Sequence, residues 1–450
     1  MTTDRKPYQK PSIRRISFTD IEAAKGLYLK GRPTREIDGH RIVKLLSEYG
    51  SPLYVVSEKT LRRSYQNLYG AFAARYPQSV IAYSYKTNYL SGICAILHQE
   101  GARAEVVSGF EYEMAKRLGV KGGNIIFNGP YKKPAELGRA FADGAMVNLD
   151  SADDCRIAEQ AAETLGRQVN VGIRVNMQLN YPAWDKFGFG LENEQAFDIC
   201  RHIAGHNYLR LAGLHCHVGT YVTDLAIYRR AMEKLLQLAA RIKESLGIEL
   251  AYLDMGGGFP SANTLQTQLM PGETMTPTVD QYAEAICDIL AEKTKAFAEP
   301  PRLILEPGRS VVDESMSLLS KVVAVKMRGN GSRFAIIDAG VNLLPTAYYY
   351  KHAVSSDRDT SQGMEQIDVF GPLCMQIDVI RKGATLPIVQ TGDILTIKDV
   401  GAYNFSQSMP FIFPRPAVVL LQDETVEVLR RAETFDDIKG LERVPSRLLP

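Results

Sequence analysis

Short apolar runs alternate with amphipathic helical patterns between residues 80 and 310. The runs are apolar on both faces and end in small or polar residues, which is typical of buried parallel strands. Eight strand-and-helix units in about 230 residues predict an α/β fold, a (β/α)8 barrel of the TIM type. The predicted strands are Val80–Lys86, Ala102–Ser108, Asn124–Pro130, Ala145–Asp150, Asn170–Met177, Leu211–Thr220, Leu250–Pro260 and Arg302–Arg309.

The segments between these strands predict helices, since their apolar residues recur every three or four positions. A doubly wound open sheet is the alternative arrangement of the same elements. Units that follow in order, without a dinucleotide-binding glycine motif, favour the closed barrel. The predicted helices are Gly109–Leu118, Lys133–Asp143, Ser151–Leu165, Asn193–Ala204, Leu225–Leu246 and Val279–Lys295.

The hydrophobic pattern changes on either side of this barrel. Residues 1–40 are polar and basic, with one short strand expected near Gly26–Leu29, and His40–Tyr49 is expected to be helical. After residue 310, short β-prone runs are separated by glycine, proline and aspartate, which predicts an all-β domain. We therefore predict a tail at 1–45, a barrel at 46–312 and a C-terminal β domain at 313–450. The β-prone runs are Ser317–Arg328, Arg333–Asp338, Gln366–Gly371, Ile394–Lys398, Ala417–Leu421 and Thr425–Leu429.

Two inserts interrupt the barrel pattern. Ser261–Thr278 is polar and follows a strand end, so it is expected to be a surface loop, with a lid over the pocket as the alternative. Asn180–Gly188 holds the chain's single tryptophan, Trp184, and is expected either to cover the barrel mouth or simply to pack against its surroundings.

Composition and charge argue against several classes of function. A formal net charge of +2 gives no reason to expect a nucleic-acid or membrane-surface partner. No apolar run approaches the roughly 20 residues of a membrane span, and the N-terminal residues lack the apolar core of a signal peptide. The six cysteines include no Cys-x-x-Cys pair, so we expect free thiols in a reducing compartment, the cytoplasm.

The carboxyl ends of the predicted strands carry residues suited to chemistry. In a (β/α)8 barrel these ends share one pocket. A lysine at such an end, here Lys86, can lose its proton and attack a carbonyl, although an isolated lysine more often extends into water. The residues gathered in this way are Lys86, Glu105, Ser108, Arg174, Asn176, His215, His217, Thr220, Gly256–Gly258, Glu306, Gly308 and Arg309.

Several of these residues suit a phosphorylated, flat cofactor. Gly256–Gly258 predicts a turn whose backbone can cradle a phosphate, with an ordinary tight turn as the alternative, and Arg309 favours the anion site. His215 and His217 share one strand face; a metal site lacks a third ligand at suitable spacing, so a ring stacked on a flat cofactor is the better use. For one of the two, a buried histidine with satisfied hydrogen bonds is the alternative. A lysine, a phosphate cradle, a planar stacking group and the carboxylate Glu306 together describe a site for pyridoxal phosphate, with Glu306 keeping its ring nitrogen protonated.

These landmarks resemble the fold type III pyridoxal-phosphate decarboxylases, the alanine-racemase-like barrel group. Within that group they are most similar to the diaminopimelate decarboxylase branch, with ornithine and arginine decarboxylases as cousins. The resemblance extends from about residue 40 to about residue 425. Its motifs are Tyr-Ser-Tyr-Lys86-Thr-Asn, Val-Val-Ser108-Gly-Phe-Glu111, Phe-Asn128-Gly-Pro, Arg174-Val-Asn, Lys186-Phe-Gly-Phe, His215-Cys-His217-Val-Gly-Thr220, Gly256-Gly-Gly258, Glu306-Pro-Gly-Arg309, Gly371-Pro-Leu-Cys374 and Gly401-Ala-Tyr403.

The resemblance implies a role for each matched residue. Lys86 would form the Schiff base with the cofactor, His217 would stack on the ring, and Cys374 would give a proton to the carbanion. The substrate would be bound by Cys374, Met375, Tyr348 and Tyr403. The cofactor would be bound by Lys86, Ser108, Arg174, His217, Thr220, Gly256, Gly257, Gly258, Glu306, Gly308, Arg309 and Tyr403, and no metal ligand is expected.

The resemblance also implies an assembly. In this family the cysteine reaches the pocket from a second copy of the chain, which implies a head-to-tail homodimer with two shared active sites. Some members bring N-terminal strands into the β domain, so residues 1–45 are expected to associate with that domain.

The implied activity is loss of CO2 from Cα of an amino acid, a small-molecule substrate. A protonated pyridine nitrogen beside Glu306 stabilises the full carbanion that this reaction generates. Racemases of the same barrel carry an arginine at that place, so a racemase is the rival activity within the fold. A non-catalytic homologue that binds a partner is the rival from another class.

The far end of the substrate site departs from the diaminopimelate pattern. Enzymes that act on that compound continue Gly-Pro-x-Cys with Glu-Ser-Gly-Asp and carry an Arg-Pro pair after Asp-x-Gly. Here Met375 follows Cys374, and the second segment reads Leu344-Pro345 without an arginine. Met375 also replaces the aspartate of the ornithine enzymes. The sequence therefore predicts a different amino acid, including a modified, larger or carrier-linked one. The alternative is diaminopimelate, ornithine or lysine itself, with loop 180–186 supplying the missing charges.

Overall fold

The computed structural model describes residues 33–182, 184–297 and 299–449. This part begins with a two-strand hairpin, a helix and a strand: β1 (Glu36–Ile37), β2 (His40–Arg41), α1 (Ile42–Tyr49) and β3 (Leu53–Ser57). Just before the hairpin, the Thr34 N–H donates to the Ser356 carbonyl at 2.8 Å. The strand expected near Gly26–Leu29 lies outside the described residues.

Eight parallel strands form the closed barrel that the hydrophobic pattern predicts, and the fold class is confirmed. They are β4 (Ser79–Ser84), β5 (Arg103–Val106), β6 (Ile125–Phe127), β7 (Met146–Leu149), β8 (Val169–Asn176), β10 (Leu209–His215), β11 (Tyr252–Asp254) and β12 (Arg302–Leu305), with a short β9 (Phe189–Gly190) paired to the end of β8. β4 to β8 pair in order, β8 pairs with β10, and β12 closes the ring on β4. All eight carboxyl ends therefore meet at one mouth.

Helices alternate with the barrel strands. Their bounds are α2 (Glu58–Arg75), α3 (Ser91–Gln99), α4 (Gly109–Arg117), α5 (Pro134–Asp143), α6 (Ala152–Leu165), α7 (Gln195–Ala204), α8 (Leu225–Leu246), α9 (Gly272–Met275), α10 (Val279–Lys293) and α11 (Arg309–Val312). Several begin at a side-chain cap: Ser151 Oγ accepts from the Asp154 N–H at 3.1 Å, which satisfies a free donor of α6. None of the described helices is both long and apolar enough to cross a membrane.

Residues 316–430 form the predicted β domain. Its elements are β13 (Met316–Met327), β14 (Arg333–Ile337), β15 (Val354–Ser356), β16 (Met364–Phe370), β17 (Val379–Pro387), β18 (Ile394–Ile397), β19 (Val418–Gln422) and β20 (Thr425–Arg430), followed by α12 (Phe435–Lys439). The sequence pattern missed β15 and β17. In β17 an Arg-Lys-Gly triplet, 381–383, interrupts the apolar run, and a bulge in its pairing with β16 accommodates the interruption.

Strand β3 lies in the β domain, although the sequence places it inside the predicted barrel range 46–312. It runs between β13 and β19, antiparallel to the first and parallel to the second. Leu53 and Val55 pack with Leu45 of α1 and with Leu319 and Val419 in one apolar cluster. Pairing partners more than 250 residues away leave no local signal in the sequence. We therefore propose that the barrel domain begins near residue 58.

The insert 261–278 joins the barrel to the β domain. Ser261 and Asn263 are buried, and their side chains donate to Asp313 at 2.5 and 2.8 Å. Leu265 forms a β-bridge with Tyr350. The expectation of a surface loop is therefore wrong for its first residues, because their polar groups are satisfied by a buried carboxylate rather than by water.

Candidate active site

Lys86 lies in a 3-10 turn, Tyr85–Thr87, directly after β4. Its Nζ donates to Glu105 Oε2 at 2.5 Å and to Ser84 Oγ at 2.6 Å. Burial acts to lower the pKa of Lys86, but the charge of Glu105 and its neighbours outweighs burial and raises that pKa. The sequence predicts a lysine ready to lose its proton, whereas the structure holds an ammonium group on a buried carboxylate. Glu105 is the acceptor within reach when that proton leaves.

Glu306 follows β12, and its carboxylate faces three buried polar side chains. Its Oε1 accepts from Asn128 Nδ2 at 2.5 Å, and its Oε2 lies 3.4 Å from His215 Nε2. An oxygen of Asp254, at the end of β11, lies within 4.8 Å of the same group. Two buried carboxyl groups this close do not both ionise. Burial and Glu306 raise the pKa of Asp254 well above its usual range. For Glu306, burial is outweighed by His215 and Lys86, and its pKa is lowered.

Asp254 therefore carries a proton while Glu306 is ionised, which makes a pH-dependent prediction. Below the usual aspartate pKa of about 4, Asp254 is protonated in both the folded and the unfolded protein. Above that pH the unfolded protein loses the proton and must bind it again to fold. The contribution of Asp254 to the free energy of unfolding therefore falls as pH rises. Asp254→Asn mimics the protonated acid and keeps the acceptor for the Gly256 N–H, now 2.9 Å away. Urea unfolding of the cofactor-free protein should show the variant more stable by on the order of 1–3 kcal/mol at pH 8, with the difference shrinking towards pH 4.

The exposed Asp153 on α6 offers a matched control. Asp153→Asn should not change the pH slope of stability. An Asp254→Asn variant that is less stable at pH 8 and keeps the wild-type slope would mean that Asp254 is ionised in the folded protein.

His217 is held as a neutral ring two residues beyond β10. Its Nδ1 accepts from the Gly257 N–H at 3.1 Å, so a proton on the ring belongs on Nε2. Burial, followed by the nearby charges of Arg174 and Lys86, lowers the pKa of His217 to about 3. The indole of Trp184 packs against the imidazole with 5.3 Å between ring centroids. A neutral imidazole in this place can lie against a flat, positively charged ring.

The predicted phosphate cradle has no room for side chains. Gly256 and Gly258 have φ of +62° and +90°, the left-handed region that favours glycine. A Cβ on Gly256 would lie 2.6 Å from His217 Nδ1, and one on Gly258 would lie 2.5 Å from the Gly219 carbonyl oxygen. A Cβ on Gly308 would overlap the Thr87 hydroxyl. The backbone is thus free for close approach by a ligand.

Arg309, directly after Gly308, supplies a buried positive charge. Its guanidinium carbon lies 4.8 Å and 5.0 Å from the ring centroids of Tyr350 and Tyr403. Its Nη1 is buried and finds no hydrogen-bond partner among the described residues, and the same is true of Thr87 Oγ1. A buried cation with an unsatisfied donor, beside glycines that admit no side chain, fits the phosphate group of pyridoxal phosphate.

Two other predicted cofactor residues have protein partners of their own. Arg174 Nη1 lies 3.6 Å from Asp150 Oδ1, and its guanidinium lies 4.3 Å above the Phe187 ring. Ser108 Oγ accepts from the Glu111 N–H at 3.2 Å and so caps α4. These contacts position the strand ends and the helix around the pocket.

The remaining predicted residues lie outside the buried pocket of the single chain. Thr220 is exposed in the loop after β10. Cys374 is an exposed free thiol in the loop between β16 and β17. Met375 and Tyr348 are also at the surface, with 36% and 45% of each residue exposed.

Three residues close to the predicted set had no role assigned from the sequence. Glu105 holds Lys86, Asn128 donates to both Glu105 and Glu306, and Asp254 lies beside Glu306. Each stands at the carboxyl end of a barrel strand. The strand-end rule had gathered Glu105 without assigning it a role, and it had not gathered Asn128 or Asp254. Their position at a strand end can be seen in the sequence, but the side chains that they contact on other strands cannot.

Comparison with known proteins agrees with this geometry. Residues 58–313 match the family described as pyridoxal-dependent decarboxylase, pyridoxal binding domain. The chain belongs to this decarboxylase family. The decarboxylase is 32% identical to the diaminopimelate decarboxylase of Methanothermobacter thermautotrophicus over 446 residues, 96% of this chain and 99% of that protein.

Solved structures of decarboxylases are also similar to this chain. The crystal structure of Methanocaldococcus jannaschii diaminopimelate decarboxylase in complex with L-lysine has a TM-score of 0.85 and 31% identity, covering 92% of this chain and 97% of that one. Vibrio vulnificus lysine/ornithine decarboxylase, at 23% identity and a TM-score of 0.70, shares the fold. The predicted family, the pyridoxal phosphate cofactor and the carboxy-lyase class are confirmed for this decarboxylase, and its substrate is an amino acid. The roles of individual residues stay predictions.

Proposed function

We propose that the enzyme removes the α-carboxylate of diaminopimelate. The observation that carries this proposal is the full-length similarity to diaminopimelate decarboxylases, which spans both the barrel and the β domain. The sequence alone predicts a different amino acid, and the relatives favour its alternative, diaminopimelate, over that prediction.

The residues of the barrel provide what such a reaction needs. Pyridoxal phosphate, when bound, supplies a protonated ring that accepts the electron pair left behind when CO2 departs. Lys86 would hold the cofactor's aldehyde carbon, with Glu105 positioned 2.5 Å from Nζ to take a proton. The ionised Glu306 would keep the ring nitrogen protonated, and the glycine turn with Arg309 would hold the phosphate.

We also propose that two copies of the chain share each active site. Cys374, the predicted proton donor, is exposed on the single chain. Apolar residues near it in sequence or on the neighbouring loops are exposed as well: Tyr348, Tyr349, Met375, Ile377, Met409, Phe411, Ile412 and Phe413. An apolar surface that carries a catalytic cysteine is what a dimer with shared sites would bury.

A second candidate substrate is an amino acid whose far end is uncharged, including an amide- or carrier-linked one. Three segments of the β domain, 339–350, 371–378 and 401–414, carry Cys374 and Tyr403 but only one charged residue, Asp378. The Asp378 carboxylate is buried and accepts from the backbone N–H groups of Val341 and Leu373 at 2.8 and 2.7 Å. It therefore shapes the loop and leaves no charge in these segments for a distal ammonium or carboxylate.

A CO2-release screen of the holoenzyme distinguishes the two candidates. The panel contains meso-diaminopimelate, L- and D-lysine, L-ornithine and amide-linked derivatives of diamino acids. The highest kcat/KM on diaminopimelate would support the main proposal, and turnover of the amide-linked compounds alone would support the second. Exchange of the α-proton without CO2 release would indicate a racemase and contradict both.

The variant Met375→Glu gives a second test that distinguishes the two candidate substrates. If the second candidate is right, the new carboxylate should raise kcat/KM on diaminopimelate by about 10- to 150-fold, the effect of one hydrogen bond to a charged group. Met375→Gln has the same length without the charge and is the matched control. If the native enzyme already prefers diaminopimelate, Met375→Glu should bring no such gain.

Arg309→Met tests the phosphate site. Removing the buried guanidinium should raise the dissociation constant for pyridoxal phosphate by about 10- to 150-fold. Pyridoxal, which has no phosphate, is the control ligand, and its binding should change little. An equal loss for both compounds would mean that Arg309 acts on the fold instead of on the phosphate.

We propose a cytoplasmic location for the enzyme. All six cysteines are free, five of them buried, and Cys374 would have to stay reduced to donate a proton. A reducing compartment keeps such thiols intact.

A further inference from the structure

Trp184 is the chain's single tryptophan and lies in the loop between β8 and β9. Its indole packs against two rings: the centroid of His217 is 5.3 Å away, and that of Phe187 is 6.0 Å away. The residue is 39% exposed, so part of it reaches the solvent while its indole packs against the imidazole. The mechanism proposed above gives this side chain no role.

The loop is fixed in this position by hydrogen bonds and by close packing. Asn176, at the end of β8, donates through Nδ2 to the carbonyl oxygens of Trp184 and Phe187 at 3.1 and 2.7 Å. On the other side, the backbone beyond His217 is close to the indole: a Cβ on Gly219 would lie 3.9 Å from Trp184 Nε1. The indole is thus held against His217 from the strand on one side and from the following loop on the other.

Barrel topology places the other site residues across the mouth. His217 follows β10, whose neighbours are β8 and β11, and Trp184 arrives from the loop after β8. Lys86 follows β4, three strands away from β10 around the ring. The indole therefore approaches the imidazole from beside it, while Lys86 approaches from across the pocket.

We propose that Trp184 is a positioning residue for pyridoxal phosphate that acts through His217. The indole holds the imidazole and screens it from water, and it leaves the ring's pocket side for the cofactor. This inference rests on the role proposed above for His217.

The charged groups around His217 explain why its imidazole must be screened from water. His217 is surrounded by Arg174, Lys86, Glu306 and His215, and it stays neutral chiefly because it is buried. Without the indole, water would reach the ring and an imidazolium would form at a higher pH. A charged imidazolium would repel the protonated pyridine ring, so cofactor binding would weaken first at acidic pH.

Titration of the cofactor-free protein with pyridoxal phosphate tests the proposal by two signals. The fluorescence of wild-type Trp184 should be quenched with the same dissociation constant that the visible absorbance of the bound cofactor gives. In Trp184→Ala that constant, read from absorbance, should rise by about 2- to 13-fold at neutral pH, the usual range for one aromatic contact. The loss of binding at low pH should begin at a higher pH than in the wild type.

Two further variants keep the result interpretable. Trp184→Phe retains an aromatic ring and should restore both the affinity and the acid limit to near wild-type values. Tyr69→Ala removes a stacked aromatic residue of similar exposure, 42%, from α2, outside the site, and should change neither. Far-ultraviolet circular dichroism checks that each variant is folded.

Three outcomes would overturn the proposal. One is a Trp184→Ala variant with unchanged affinity and an unchanged acid limit. Another is wild-type fluorescence that stays unchanged during the titration while the visible absorbance of the bound cofactor develops. Either result would leave the proposed cofactor site itself uncontradicted. If no visible absorbance develops in the wild type, the cofactor roles of Lys86 and His217 fail together with this inference.

Discussion

Lys86→Ala should abolish decarboxylation and the visible absorbance of bound pyridoxal phosphate. The amine is the group placed to hold the cofactor's aldehyde carbon, and loss of such a nucleophile lowers kcat by on the order of 10³-fold or more. CO2 release by single-turnover and steady-state assays, with absorbance scans of the same samples, measures both effects. A variant that retains the absorbance and substantial CO2 release would show that another lysine holds the cofactor.

The same variant leaves the buried Glu105 without the ammonium group that lies 2.5 Å away in the native chain. The variant should therefore melt at a lower temperature than the wild type, because a buried carboxylate without a charged partner destabilises the fold. Adding Glu105→Gln should recover most of that loss, because a neutral amide needs no partner charge. It should not recover activity. This difference separates the structural part of the Lys86→Ala effect from the chemical part.

Mixing two inactive variants should restore activity if the active sites are shared. Lys86→Ala and Cys374→Ala each damage both sites of their own homodimer. After subunit exchange at equal concentrations, half of the dimers are mixed, and each mixed dimer has one site with both residues intact. The expected recovery is about a quarter of wild-type activity. The assay is CO2 release before and after exchange, with exchange followed by native mass spectrometry of one isotope-labelled partner.

The control is a mixture of Lys86→Ala with Arg309→Met. Both residues belong to the barrel of one chain, so each mixed dimer would have one site without Lys86 and one without Arg309. That mixture should show no recovery beyond the activity of Arg309→Met itself. Confirmed subunit exchange without recovery in the Lys86→Ala and Cys374→Ala mixture would contradict a shared site.

The sequence was informative wherever a residue's role follows from its position on a strand. Each of the eight apolar runs overlaps one barrel strand, and their carboxyl ends gathered Lys86, His217, Glu306 and Arg309 into one pocket. This succeeds because parallel strands buried on both faces have a strong local signature, and because barrel closure brings every carboxyl end to one mouth. Gly256–Gly258 and Arg309 predicted an anion site because they stand at two neighbouring carboxyl ends.

Contacts between distant strands could not be predicted in this way. The place of β3 in the C-terminal sheet depends on partners at residues 316–319 and 418–421, and the ordered insert 261–264 depends on Asp313. The protonation states depend on such contacts too. Lys86 is charged because Glu105 lies on the neighbouring strand, and Asp254 keeps its proton because it is buried and because Glu306 lies beside it.

The sequence by itself thus determined the barrel, the cofactor and the chemical type of each strand-end residue, since these follow from local pattern and motif. Only the tertiary structure decided which group holds the proton, which hydroxyl caps a helix, and which aromatic residue covers His217. Those properties arise from burial and from distances of a few ångströms between groups remote in the chain, and free energies of desolvation and charge pairing are set by such distances.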